Sequence, residues 1–208
     1  MYTIPPYLAI AVSTLLAYLI GGLPFGYWFV RLSSGRDIRT MGSGNIGATN
    51  VLRTAGNKAG IIVLLLDILK GFLAVWLAAA LTYHHALGIA LAAFAVMLGH
   101  CYPAFLNFRG GKAVACFVGA YLFIAPLALA VVALIFIAVV AFSRYVSLGS
   151  IVGAALFPVV LWLVQHPPES ILVAAIFSAL LIVFRHKANI ARLRTGKEHV
   201  FSLKGRAV

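Results

Sequence analysis

The run AVACFVGAYLFIAPLALAVVALIFIAVVAF, Ala113–Phe142, is 30 residues long, carries no charge and holds one proline, Pro126, near its middle. A membrane-spanning helix needs ~20 apolar residues. The run is therefore long for one crossing and short for two, and Pro126 can break it. Charge separates the two cases. If the run crosses once, Arg144 and the seven basic residues from Arg185 to Arg206 fall opposite the Arg31–Lys58 segment. If it crosses twice, one face collects five basic residues in Arg31–Lys58, then Arg109 and Lys112, then Arg144, then those seven. That is 15 of the 16 Lys and Arg residues, with Lys70 alone inside an apolar run. Basic residues collect on the cytoplasmic side of membrane proteins, so the second case is preferred. A re-entrant form of the run would give the same sidedness.

Working outward, the other apolar runs are Tyr2–Leu32, Ala59–Tyr83, Ala86–Leu106, Ser147–Gln165 and Ser170–Phe184. The expectation is an all-α, polytopic membrane protein of about seven transmembrane helices, with its N-terminus outside and its C-terminus cytoplasmic, residues 1–208 forming a single domain. Composition agrees, with 63% hydrophobic and 10% charged residues and a mean hydropathy of +1.07. The formal charge of +12 would suggest nucleic-acid binding in a soluble chain; here it reads as membrane topology, and no nucleic-acid partner is expected. The first 30 residues contain no Lys or Arg, so the basic start of a cleaved signal peptide is missing and the first run reads as a retained span. Gly21, Gly22, Pro24 and Gly26 suggest a kink or close helix packing at its end. Cys101 and Cys116 make no metal-binding spacing and read as small packing residues.

Three polar stretches fall on the basic face. In MGSGNIGATNVLR, Met41–Arg53, Gly42, Gly44 and Gly47 let the backbone take positive φ and turn N–H groups toward one point. Ser43, Thr49 and Asn50 add donors, and Arg53 adds a fork suited to phosphate oxygens. No GK[ST] follows the glycines, so this is not a Walker loop. In GHCYPAFLNFRGGKAVACF, Gly99–Phe117, the pair Gly110-Gly111 precedes an apolar helix whose first turn is expected to carry Lys112. A cation there opposes the helix dipole, and an anion bound by the free N–H groups and Lys112 would remove the conflict. In RHKANIARLRTGKE, Arg185–Glu198, His186 and Asn189 stand at i, i+3, and Arg185, Asn189 and Arg192 at i, i+4, i+7, which makes a polar stripe on a helix. Basic residues beyond Arg192 read as contacts to anionic lipid headgroups. Ser147 adds a hydroxyl on the same face. Asp67 and Lys70, at i, i+3 within one span, read as a self-neutralising buried pair, against the alternative of a role in the site.

Carboxylates are scarce. Asp37 and Glu198 are the only ones outside spans on the basic face, and HExxH, GxSxG and His/Cys clusters are absent. No metal and no cofactor is expected. A site with cations, donors and one titrating group, His186, binds phosphates and does little covalent chemistry of its own.

The stretches GSGNIGATNVLR, GHCYPAFLNFRGGKAVA and RHKANIARLRTGKE, with LLLDILKG around Asp67 and Lys70, resemble in order and spacing those of the bacterial acyl-phosphate-dependent glycerol-3-phosphate acyltransferases. The likeness covers nearly the whole chain. This sequence departs from the family at Ile46, where proline or a similar residue is usual, at Ala113, where glycine is usual, and at Cys116, often threonine. The Ala113 methyl is expected to crowd a close backbone approach to phosphate. The resemblance implies transfer of a fatty acyl group from acyl phosphate to the 1-hydroxyl of sn-glycerol 3-phosphate, giving lysophosphatidate and inorganic phosphate, at the cytoplasmic face of the bacterial inner membrane. It also implies a functional link to an enzyme that makes acyl phosphate.

Carried over by motif, Ser43, Arg53, Lys112, His186 and Asn189 would hold glycerol phosphate and orient its hydroxyl. Gly42, Gly44, Asn45, Gly47, Thr49, Asn50, Gly110, Gly111 and Ser147 would complete the substrate contacts, chiefly to acyl phosphate, whose chain would lie between spans in membrane lipid. Surrounding cations should lower the pKa of His186 and leave it able to accept a proton; the resemblance favours transfer to a substrate phosphate instead, and both remain open at this level. No histidine is followed five residues on by aspartate, so acyl-CoA is not expected to serve as donor. The rival reading is a transporter of organic phosphate, which needs a site near the midplane open to both faces.

Overall fold

The computed structural model describes residues 5–200, which form ten α-helices and two short 3-10 helices with no strand among them. The helices are α1 Pro6–Gly21, α2 Phe25–Ser34, α3 Ala48–Ala55, α4 Asn57–Leu81, α5 Ala86–Cys101, α6 Val114–Ile124, α7 Pro126–Ser143, α8 Val146–Gln165, α9 Glu169–Arg185 and α10 Lys187–Arg194. The start of the first expected span, at Tyr2, and the basic residues Lys204 and Arg206 lie outside the described residues.

Local chemistry places the breaks. Pro126 opens α7, and Ala125 before it leaves the helical region at φ −149, as steric conflict with the proline ring requires, so α6 stops there. Gly22, Leu23 and Pro24 interrupt the first run between α1 and α2. Five described helices or helix pairs are long and apolar enough to cross a membrane, α1 with α2 counting as one. The pair α9 and α10, bent by 55°, makes a sixth. This is fewer than the seven expected, because α6 has only 11 residues and rises about 16 Å, roughly half the hydrocarbon thickness.

Short as it is, α6 runs the length that matters. Phe123 and Ile124 at its end line one cavity with His84, Gln165, Pro167 and Pro168. At its start Lys112 meets Asn189, which follows α9. The α7 helix then returns, so that Ser147 on α8 meets Glu198 near Asn189. The Ala113–Phe142 run thus goes out and back.

Close crossings make this compactness workable. A Cβ on Gly21 would strike the Val96 backbone and one on Gly99 the Tyr18 carbonyl, so α1 and α5 touch backbone to backbone. Gly71 and Gly119 do the same for α4 and α6, against the Cys116 and Ile68 carbonyls. Small residues let helices approach where lipid supplies no hydrophobic drive. Phe117, Tyr121 and Phe157 then pack with ring centroids 4.5–4.8 Å apart and fasten α6 to α8. Leu65, Ile137, Leu163 and Leu180 stay exposed on the outer surface, as lipid-facing side chains do. Gly71→Val or Gly119→Val is expected to destabilise the fold by more than about 3 kcal/mol, because the obstructing atoms are backbone and cannot turn aside. Leu65→Ala is expected to be nearly silent, and thermal unfolding of the purified variants checks both.

Candidate active site

The Met41–Gly47 loop is wound around one amide. Asn50, on α3 and 1% exposed, accepts from the Ser43 N–H at 2.9 Å and donates to the Met41 and Asn45 carbonyls at 3.0 and 2.8 Å. Asn45 Oδ1 accepts from the Gly47 N–H at 2.8 Å. Gly42 and Gly44 take the expected left-handed backbone, at φ 55 and 69. Gly47 does not: at φ −79 it is the N-cap of α3, where an extended residue starts the helix. Asn45 and Asn50 therefore shape the loop from within, while Ser43 and Thr49 are left exposed on its surface. Neither makes a direct bond to the other site residues described below. Arg53, one turn beyond Thr49, is close enough to Glu198 and Arg192 to feel both; desolvation, more than these charges, lowers its pKa.

The second stretch is held differently from the expectation. The Gly110 and Gly111 N–H groups donate to the Cys101 and His100 carbonyls at 3.1 and 2.9 Å. Their own carbonyls accept from Arg185, Nη2 to Gly110 at 3.0 Å and Nε to Gly111 at 2.9 Å, while the Arg185 guanidinium lies 4.9 Å from the Tyr102 ring centroid. All four polar groups of the glycine pair are engaged, so an anion here would meet Lys112 and the unpaired N–H groups at the start of α6. Lys112 does not sit in the first turn. It precedes Ala113, the N-cap, and so avoids the dipole conflict. Ala113 stands at φ 61, a conformation that costs a residue with a Cβ about 1 kcal/mol or more. The need for glycine at this position comes from the backbone angle.

The third stretch closes the site. His186 occupies the bend between α9 and α10, and its Nδ1 lies 2.7 Å from the Ile182 carbonyl. A carbonyl only accepts, so Nδ1 carries the proton and Nε2 keeps its lone pair. Burial first, then the nearby positive charges of Lys112 and Arg185, bring its pKa down to about 4. Lys112 Nζ donates to Asn189 Oδ1 at 2.6 Å, and burial brings the Lys112 pKa down to about 8.

Glu198 was not anticipated as a site residue. It folds back and is buried, accepting on Oε1 from Asn189 Nδ2 at 2.7 Å and Ser147 Oγ at 3.0 Å, and on Oε2 from Arg192 Nε at 2.7 Å. Burial pushes its pKa up, but these bonds outweigh that and hold it low. The tail thus folds back onto α8 and α10 through Glu198, while the headgroup expectation concerned only its basic residues. Arg185 and Arg192 also gain structural roles that the stripe alone did not disclose. A single acid inside a basic tail, in a chain with 4 Asp and Glu residues, was the available signal. Lys112, Asn189, Glu198 and Ser147 are thus directly linked, with His186 and Arg53 beside them: Arg53, Lys112 and Arg192 lie near one carboxylate, and Arg185, near Lys112 and His186, makes a fourth cation.

The lowered His186 pKa has a sign. Between pH 6.5 and about 4 the unfolded chain binds the proton and the folded one does not, so stability falls as pH falls through that window. At about 1.4 kcal/mol per unit, the loss is about 3 kcal/mol. His186→Asn is expected to make the decline shallower by that amount, as melting temperatures across this pH range would read.

Residues 11–196 match the family described as glycerol-3-phosphate acyltransferase. The glycerol-3-phosphate acyltransferase of Syntrophomonas wolfei is 44% identical over 188 residues, covering 90% of this chain and 95% of that one. The protein of the same name from a Jannaschia species is 46% identical over 192 residues, covering 92% of each. Among solved structures, the glycerol 3-phosphate form of PlsY, an integral membrane glycerol 3-phosphate acyltransferase, superposes with a TM-score of 0.87 at 37% identity, covering 93% of this chain and 96% of that one. Its lysophosphatidic acid form gives 0.83 at 35% identity, covering 93% and 95%. Fold, matched stretches and relatives agree: the chain belongs to the glycerol-3-phosphate acyltransferase family.

Proposed function

We propose that the protein transfers a fatty acyl group from acyl phosphate to the 1-hydroxyl of sn-glycerol 3-phosphate, giving lysophosphatidate and inorganic phosphate, a step of phospholipid synthesis. The observation that carries this reading is the linked set Lys112, Asn189 and neutral His186 at the open start of α6, with Arg53 beside it. Two anions must be held side by side, and four cations balanced by one internal carboxylate suit them. Acyl phosphate is a mixed anhydride and needs no enzyme nucleophile. The glycerol O1 attacks the acyl carbon, the C–O bond to phosphate breaks, and phosphate leaves with its electron pair.

Ser43, Arg53, Lys112, His186 and Asn189 hold glycerol phosphate. Thr49, Ser147 and the Gly42–Gly44 backbone contact acyl phosphate, with Asn45, Gly47, Asn50, Gly110 and Gly111 supporting these contacts. The proton from O1 passes to a substrate phosphate oxygen, as the likeness to the family favours. His186 Nε2 orients the hydroxyl. The relatives' shared name and the lysophosphatidic acid form of PlsY support this reading over the transporter.

The topology completes the proposal: a single domain of seven crossings counting α6, N-terminus outside, and C-terminus and site at the cytoplasmic face of the bacterial inner membrane, where an acyl-phosphate-producing enzyme supplies the donor. Cys101 and Cys116 are buried, so a membrane-impermeant maleimide on intact cells should label a cysteine placed at His84 and spare one placed at Arg36; the reverse pattern overturns the sidedness. Phosphate release is expected only with palmitoyl phosphate and glycerol 3-phosphate together, and palmitoyl-CoA should not replace the donor. In the same assay His186→Asn should keep kcat within about tenfold; a loss of ~100-fold or more is the mark of a general base. Release that is absent from protein still binding glycerol 3-phosphate would sink the acyl-transfer reading.

A further inference from the structure

Beneath the polar end of the bundle, where α1, α4, α5 and α6 meet, lies a charged cluster that touches neither substrate in the reaction above. Asp67 and Lys70 form an ion pair at 2.7 Å, each side chain 3% exposed. His100 Nδ1 on α5 stands 3.7 Å from Asp67 Oδ1. Among the described residues, these two atoms are buried without a well-directed hydrogen bond. Cys116 lies within 4.8 Å of both. A divalent ion held by Asp67, His100 and Cys116 would compete with Lys70, whose Nζ already lies 2.7 Å from Asp67 Oδ1.

Two contacts reach outward from the cluster. Lys70 Nζ donates to the Leu23 carbonyl at 2.8 Å, in the break between α1 and α2, and lies 5.4 Å from the Phe25 ring centroid. The next helix then packs against the first polar stretch, since a Cβ on Gly26 would strike the Ile46 carbonyl. On the other side the His100 ring rests on Gly111 so closely that a Cβ there would collide with Nε2. The His100 carbonyl also accepts from the Gly111 N–H at 2.9 Å, and the following residue is Lys112. One arm thus ends at the loop leading to Arg53 and the other at Lys112.

We propose that Asp67, Lys70 and His100 are positioning residues, which hold the Gly42–Arg53 and Gly110–Lys112 stretches at a fixed separation so that both phosphates fit between them. A pair present only to neutralise itself would need neither the Leu23 carbonyl nor His100. Such a pair is generally replaceable by apolar side chains of similar volume without loss of stability. The proposal deepens the acyl-transfer reading and rests on it for the identity of the ligand.

That replaceability supplies the test. Asp67→Leu/Lys70→Met removes both charges together and leaves no unpaired ion. Thermal unfolding, calorimetric binding of glycerol 3-phosphate and steady-state kinetics would be measured on the full-length protein in nanodiscs. The expected result is a melting temperature within a few degrees of the parent, with Kd and KM for glycerol 3-phosphate raised at least ~10-fold and kcat changed less. A folded double variant with parental Kd and KM overturns the proposal. Should the double variant not fold, His100→Phe keeps a ring against Gly111, removes the nitrogen facing Asp67 and leaves the ion pair whole. It should weaken binding several-fold, with partial rescue by His100→Gln, and unchanged binding overturns the proposal equally. Binding is read without turnover, so a parent that binds glycerol 3-phosphate yet releases no phosphate would remove the acyl-transfer reading and leave this one to stand or fall alone.

Discussion

The site depends on one carboxylate. Arg53, Lys112, Arg185 and Arg192 are brought together at a partly buried position, where like charges repel more strongly than in water. Glu198 makes that assembly tolerable. It takes hydrogen bonds from Ser147 on α8, Asn189 on α10 and Arg192, and Asn189 turns its other end to Lys112. Residues on three separate parts of the chain are joined through a single side-chain anion. Four positive charges against one negative leave a positive excess that suits anionic ligands.

Around this charge cluster the helices leave little slack. The start of α6 reaches the site because α6 touches α4 through Gly71 and Gly119, and α5 holds its place because Gly99 lets it lie on α1. The short α6 is the telling element. Its 11 residues begin two positions after Lys112, which is partly buried at the start of the helix. Burial in turn has chemical consequences: it keeps His186 neutral and lowers the Lys112 pKa to about 8, so the ammonium is held less firmly than that of a free lysine. Bound phosphate would oppose both shifts by supplying negative charge beside these groups.

The identity of each polar stretch was legible along the chain because its chemistry is local. Glycine spacing, an arginine fork and a histidine followed by asparagine three residues on are visible in any sequence, and they led to the right family. Their roles were less legible. Asn50 looked like a substrate donor and closes its own loop; Gly110 and Gly111 were expected among the substrate contacts, and their polar groups are bonded to α5 and Arg185. Glu198 looked like a stray acid in a basic tail.

What the sequence by itself determined through composition, period and charge was an all-helical membrane protein, the out-and-back path of the Ala113–Phe142 run with its break at Pro126, and the polar stretches gathered at one end; the family came from the likeness of those stretches to known ones. The tertiary structure alone decided which polar groups are already satisfied and which remain open to a ligand. A backbone N–H is free or spent according to partners as remote as Arg185 is from Gly110, and a carboxylate neutralises whichever cations the fold brings within reach. Hydrogen bonding and screening are properties of distances in space, and distance along the chain does not encode them.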